Sequence, residues 1–255
     1  MDSSRGIAFM HIEKTGGTSV EWVLRKQFAP ADICPVYHGK SWHKALDEAA
    51  GLLNFKLFVG HFDTQILEAL IPTNLYRCTI IREPVSHFIS NFNHIKRYPE
   101  TPHRGLDVTN LDFAGYLDAV PNLPMHRAFQ TSRIIGRRPF NKLTWRRNDF
   151  DKHAVELKRL IDEKLSLYNL VGTTEDLDLF YRKLCGDNGL QYTPVPRKNT
   201  AERRSEPDLL VREQDVSAEM KDRIRMLREI DIYLYEAAKR LQPQPTPERR
   251  PELAN

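Results

Sequence analysis

Phe9-Met10-His11-Ile12-Glu13-Lys14-Thr15-Gly16-Gly17-Thr18-Ser19 reads as a short β-strand that runs into a glycine turn and then a helix. Gly16 and Gly17 carry no Cβ, so the backbone can turn tightly and bring successive N–H groups against an anion. Thr15, Thr18 and Ser19 add hydroxyl donors and Lys14 a full charge. The helix that follows, from about Thr18 to Phe28, points the positive end of its dipole at the same place. The Walker A pattern G-x-x-x-x-G-K-[ST] does not fit, because here the lysine precedes the glycines, and this argues against an ATPase or nucleotide kinase. Read alone, the stretch also fits a plain strand–turn–helix connection.

A second segment supplies a partner. Tyr76-Arg77-Cys78-Thr79-Ile80-Ile81 is an apolar run typical of a buried parallel strand, and it ends in Arg82-Glu83-Pro84, where proline suits the first turn of a new helix. Arg82 therefore belongs at the carboxyl end of a strand, the edge at which open α/β sheets bind ligands. Ser86 and Ser90 share one face of the helix that follows. The planar fork of an arginine can donate twice to a phosphate, although it can also cap a carboxylate such as Glu83.

Taken together, the two segments resemble the nucleotide-binding elements of sulfotransferases that use 3′-phosphoadenosine 5′-phosphosulfate (PAPS). The first resembles the 5′-phosphosulfate loop, which in the carbohydrate branch often reads Pro-Lys-Thr-Gly-Gly-Thr-Ser. The second resembles the 3′-phosphate element, an Arg-[Asp/Glu]-Pro with a serine eight positions after the arginine, matched by Arg82 and Ser90. Tyr168-Asn169-Leu170-Val171-Gly172-Thr173-Thr174-Glu175-Asp176-Leu177 is similar to the late strand and helix of the heparan/uronyl 2-O-sulfotransferase group. Pro196-Arg197-Lys198-Asn199-Thr200 is similar to its basic loop that closes over the nucleotide. The likeness covers roughly residues 6–240. It implies that Lys14, Thr15, Gly16, Gly17, Thr18, Ser19, Arg82, Ser90, Arg197 and Lys198 hold PAPS, with Arg203 and Arg204 as further candidates of the same loop. Two departures stand out. Glu13 occupies the position of the family's usual proline, and Val59 stands where some members have a second histidine before Gly-His.

The acceptor chemistry is expected at the end of Phe55-Lys56-Leu57-Phe58-Val59-Gly60-His61-Phe62-Asp63. Sulfonate transfer to an alcohol needs a group that takes the hydroxyl proton, and histidine, with an ordinary pKa of about 6.5, suits that task. The resemblance independently puts the family's catalytic histidine at His61; the bland alternative is a hydrogen-bonded histidine beside Asp63. Asp63 could orient the imidazole, but aspartate at a strand end is more often the N-cap of the next helix. In-line transfer needs stabilisation of the departing bridging oxygen, a role for Lys14 and the N–H groups of Thr15 to Thr18. The sequence shows no Asp/Glu/His cluster at metal-ligand spacing, so no metal is expected.

The rest of the chain frames these elements. Strands are expected near 6–12, 56–61, 76–82 and 167–171, and helices near 17–28, 64–71, 84–97, 111–119, 125–134, 150–164, 175–184 and 217–240. This alternation predicts an α/β, P-loop-like three-layer fold, a central parallel sheet flanked by helices. Leu157, Leu160, Ile161 and Leu165 form one core stripe, and Met220, Ile224, Leu227 and Leu234 another. Residues 30–51, 98–110 and 192–208 are long loops of the kind that carry function. With 255 residues, 40% apolar and 28% charged, one sulfotransferase domain over 1–241 is expected, followed by a disordered proline-rich tail over 242–255. Three widely spaced cysteines and no long apolar run point to reduced thiols, no transmembrane segment and a cytoplasmic setting.

A net charge of +4 is too modest to indicate nucleic acid. The expected acceptor is a hydroxyl on a saccharide, with His103, Arg104, Arg127, Arg133, Arg137 and Arg138 as candidates for a basic groove. The alternatives are a nucleotide-dependent kinase with an atypical phosphate loop, which would need a Walker B-type acid, and a non-catalytic polyanion-binding module, which would tolerate loss of His61.

Overall fold

The computed structural model describes residues 5–34, 55–70, 74–98, 110–144, 149–196 and 211–243. The elements run β1 (Gly6–Met10), α1 (Gly17–Arg25), β2 (Leu57–Gly60), α2 (Thr64–Leu70), β3 (Leu75–Ile81), α3 (Pro84–Arg97) and α4 (Phe113–Ala119). Then come α5 (Pro124–Arg127), α6 (Phe129–Ile135), α7 (Arg137–Thr144), α8 (Asp149–Leu165), β4 (Leu170–Thr173), α9 (Leu177–Asn188), α10 (Ala218–Leu227) and α11 (Glu229–Leu241). The strands form one all-parallel sheet in the order β2-β1-β3-β4. This is the expected α/β architecture.

The strands read as apolar runs because both faces of the sheet are covered, as parallel strands require. On one face Ala8, Met10, Phe58, Ile81 and Val171 pack with Leu157 and Ile161 of α8 and Ile230 and Leu234 of α11. On the other, Ile7, Phe9, Leu57, Val59, Cys78 and Ile80 pack with Val20 and Leu24 of α1 and Phe180 and Leu184 of α9. A third cluster joins Phe88 and Phe92 of α3 to Phe113 and Tyr116 of α4 and Ile224 of α10. The three cysteines are buried and none forms a disulfide among the described residues. Among the described residues no helix is long and apolar enough to cross a membrane. Gln242, assigned to the tail from sequence, accepts a hydrogen bond from the Thr173 hydroxyl (3.0 Å); residues 244–255 lie outside the described part.

Two expected helices are broken in the structure, for one shared reason. The helix expected over 125–134 divides at Ala128 (φ −139°, ψ 64°) into α5 and α6. The N–H groups so freed at Gln130 and Thr131 are taken by the Asp231 carboxylate at 3.5 and 2.9 Å, and the Thr131 hydroxyl joins them at 2.7 Å. The helix expected over 217–240 divides at Arg228 (φ −105°, ψ 28°), whose buried guanidinium lies 3.1 Å from the same Asp231. A buried aspartate thus caps a helix one hundred residues earlier in the chain, which no local propensity encodes. Helix α7 was not expected; Gly136, in the left-handed region at φ 95°, makes the turn that starts it. Strand β4 begins at Leu170 rather than 167, because Leu167 and Tyr168 still donate to carbonyls of the last turn of α8.

Candidate active site

In the order β2-β1-β3-β4 the chain reverses direction between β1 and β3, the crevice where such sheets bind ligands. The two segments singled out from sequence leave from these two strands. The loop after β1 holds Lys14 at φ 69° and Gly16 at φ 80°. A left-handed lysine is strained and must be held by its surroundings. It is held through carbonyls: Ile12 accepts from the Thr15 hydroxyl at 2.9 Å, Lys14 from Arg82 Nη1 at 3.1 Å, and Thr15 from the Thr174 hydroxyl at 2.8 Å. Gly16 is the N-cap of α1 and offers no side chain, so no side-chain cap closes the first turn and its N–H groups suit an anion.

Arg82 is fixed by its backbone. Its N–H donates to Gln130 Oε1 and its carbonyl accepts from Gln130 Nε2, both at 2.8 Å, so α6 holds the arginine from behind. Burial pulls the guanidinium below its ordinary pKa, while Glu175, Glu213 and Glu83 act to keep it charged. These carboxylates are the feature of the bland reading, a capping arginine, yet the side chain also reaches across the crevice to Lys14. The serine pair divides. The Ser86 hydroxyl donates to Glu213 at 2.6 Å, and Ser90 is half-buried on the same helix.

The hydroxyl donors expected of the loop also divide. Thr18 is exposed, and Ser19 is nearly buried. Thr15 is fully buried and its hydroxyl proton is committed to Ile12, so its side chain shapes the loop. Gly17 has a role the sequence reading did not assign. A Cβ there would lie 2.2 Å from Cδ2 of His11, so the glycine is what lets that imidazole pack under the loop. Arg197, Lys198, Arg203, Arg204, His103 and Arg104 lie outside the described residues.

His61 sits just past the end of β2, and its Nδ1 lies 2.7 Å from the carbonyl oxygen of His11. A carbonyl only accepts, so Nδ1 carries the proton and Nε2 carries the basic lone pair. Burial lowers the imidazole from its ordinary 6.5 to about 4, helped by His11 and Arg133 and opposed by Glu13 and by the hydrogen bond to the His11 carbonyl. This corrects the expectation of a base titrating near neutrality: the group is a weaker base, but it is unprotonated throughout the neutral range. Asp63 takes its commoner role. Its carboxylate accepts from the N–H groups of Ile66 and Arg137, each at 3.2 Å, capping α2 and α7.

A second histidine does stand beside the first, although not at position 59. The rings of His11 and His61 lie 4.6 Å apart; His11 also stacks on Phe9 and sits 3.4 Å from the Glu21 carboxylate. Parallel pairing of β1 with β2 sets Met10 opposite Gly60, so the next residue on each strand meets. A reading along β2 alone misses this; pairing the two strands from their apolar patterns would have found it.

Glu13 binds Arg133 through both carboxylate oxygens, Nε to Oε2 at 3.0 Å and Nη2 to Oε1. The arginine side chain is 3% exposed and the glutamate 25%. Burial acts to raise the Glu13 pKa, but Arg133, His61 and Arg137 outweigh it and hold the carboxyl below the usual carboxylate range. The Glu13 carbonyl accepts from His87 Nε2 at 3.0 Å, which leaves His87 Nδ1 to accept from Arg228 Nη1, also at 3.0 Å. A continuous chain therefore runs from Asp231 through Arg228 and His87 to the loop after β1. The candidates for a basic groove are differently placed from one another. Arg133 lies beneath Glu13, Arg127 lies over the Phe150 ring and 3.2 Å from Asp151, Arg137 is half-buried, and Arg138 is exposed.

The family model described as Sulfotransferase family matches residues 1–236. The chain belongs to that sulfotransferase family, and the crevice between β1 and β3 is its candidate site for sulfonate transfer. No curated protein matches the chain.

Proposed function

We propose that this protein transfers the sulfonate of PAPS to a hydroxyl group on a saccharide, with His61 as general base. The observation that carries the reading is the hydrogen bond from His61 Nδ1 to the His11 carbonyl, which leaves the basic nitrogen at the strand edge that also bears the phosphate loop. In this reading Lys14 and the N–H groups of residues 15–18 take the 5′-phosphosulfate, with Gly16, Gly17 and Ser19 shaping the turn. Arg82 and Ser90, with Arg197 and Lys198, take the 3′-phosphate. The acceptor oxygen attacks sulfur as His61 Nε2 takes its proton. The S–O bond to the nucleotide breaks, and adenosine 3′,5′-bisphosphate leaves with its new charge stabilised by Lys14 and the positive end of α1. The protein's own cations supply this stabilisation, and the reading includes no metal and no nucleic-acid partner. Three buried cysteines with no disulfide among the described residues support a cytoplasmic setting.

The test combines transfer of labelled sulfonate from PAPS to a panel of glycosides and phenols with thermal shifts by adenosine 3′,5′-bisphosphate and by ATP with magnesium. The bisphosphate raises Tm and ATP does so weakly, because only a ligand of the native state stabilises it. Equal stabilisation by ATP would point to a kinase. Strong bisphosphate binding with no transfer to any acceptor would point to a binding module.

A further inference from the structure

The acceptor side of the crevice carries a charge that its basic residues do not suggest. Glu13 stands where similar loops have proline, and it is the more exposed partner of its ion pair, at 25% against 3% for Arg133. What the pair offers to the crevice is therefore a carboxylate over a buried guanidinium. Its charge acts on His61, so it lies within electrostatic reach of the reacting hydroxyl. Each carboxylate oxygen accepts one bond from Arg133, and a carboxylate has about four lone-pair sites, so two acceptor sites remain. Hydroxyl groups of a sugar or other polyol can fill them. A carboxylate or sulfate on the acceptor would bring like charge into a half-buried position.

We propose that Glu13 is a specificity-determining residue of the acceptor site, its carboxylate selecting neutral, hydroxyl-rich acceptors over anionic ones. This rests on the sulfotransferase reading above and narrows its acceptor class. It also assigns Arg133 the task of holding Glu13 in place, in contrast to a role in a basic groove for anionic glycans.

The test uses two matched acceptors, a methyl glucoside and the methyl glucuronide that differs from it by one carboxylate, with PAPS as donor. The wild-type protein sulfates the neutral glycoside with the higher kcat/KM. In Glu13→Gln, which keeps the shape and removes the charge, the neutral-to-anionic ratio falls by about 10- to 100-fold, the range of one charged hydrogen bond. The rise in Tm given by adenosine 3′,5′-bisphosphate should match wild type, which shows that the variant is folded and its nucleotide site intact. Arg127→Ala leaves the ratio unchanged. A ratio unmoved in Glu13→Gln, a wild-type preference for the glucuronide, or a ratio shifted by Arg127→Ala overturns the proposal while leaving sulfonate transfer standing. Failure of the wild type to sulfate either glycoside overturns the proposal together with the saccharide reading.

Discussion

The proposed nucleotide end and the proposed base end of this crevice are assembled by different means. At the nucleotide end, residues 14–19 follow one another in the chain, and the geometry is made by backbone: a left-handed lysine, a left-handed glycine and the first turn of α1. At the base end, His61, His11, Glu13 and Arg133 come from two strands and a helix, and side chains make the geometry. The first is shaped by backbone conformation and pinned at its carbonyls by Thr15, Arg82 and Thr174; the second is shaped by its side chains. They meet where Glu13 joins Lys14 in the chain and where the His11 ring packs against Gly17.

The strongest test of this division removes the base. His61→Ala should lower kcat by about 10²–10⁴, the usual worth of a positioned base, and leave the bisphosphate affinity unaltered. His61→Asn keeps a polar side chain that can donate to the His11 carbonyl but takes no proton near neutrality, so it should be as slow. Near-normal turnover by the asparagine variant would remove His61 from catalysis. Glu13 would be a poor replacement, since Arg133 already holds it as the carboxylate.

Gly17→Ala is the substitution that should damage both ends at once. Its new Cβ overlaps the His11 ring, and relief of such crowding costs about 1–3 kcal/mol. Steady-state kinetics should show donor KM raised and kcat lowered together, by about tenfold each. A change in KM alone would mean that the glycine serves only the phosphate loop.

Arg82→Ala should act on the nucleotide end alone. An interaction made equally in ground and transition states contributes to binding, so donor KM should rise by about tenfold with a smaller change in kcat. An unaltered donor KM in a folded variant would reduce Arg82 to the pin on the Lys14 carbonyl.

Acid should distinguish the two ends most gently. With His61 titrating at about 4, kcat/KM should hold level from neutrality down to about pH 5 and fall below that. Stability should respond over a wider window. His61 is lowered from 6.5 and His87 lies well below it, each by burial first and by neighbouring cations. The unfolded chain binds those protons more readily, so stability is full above about pH 6.5 and declines as pH drops toward 4. His61→Asn should flatten part of that decline in thermal melts. A kcat/KM limb near 6.5 would show a base less buried than the structure indicates.

Legibility in the sequence followed the same division. The strands and the strand–turn–helix connection after β1 were readable because apolar runs, a Gly-Gly turn and Arg-Glu-Pro are contiguous signals. The positions of Arg82 and His61 just past strand ends were readable, because each follows an apolar run. His11, Gln130, His87, Arg228 and Asp231 were not, since their roles arise from pairing across sequence distances of about fifty to over one hundred residues. The helix breaks at Ala128 and Arg228 were missed for the same cause: the buried group that caps one break and binds the other is Asp231, invisible to helical periodicity. Arg133 was readable as a cation but not as the partner of Glu13.

The chain of bonds from Asp231 to Glu13 also sets a schedule for biosynthesis. The loop after β1 leaves the ribosome more than 200 residues ahead of Arg228, which holds His87 against the Glu13 carbonyl. At about 5–20 residues per second, roughly 10–45 s separate the two. Until then the sheet face that Ile230, Leu234 and Ala237 will complete is covered in part only, by Leu157 and Ile161 of α8. The nascent chain therefore holds a partly covered apolar face and a loop after β1 that is not yet braced through His87 until Arg228 and α11 emerge, and the two are completed together.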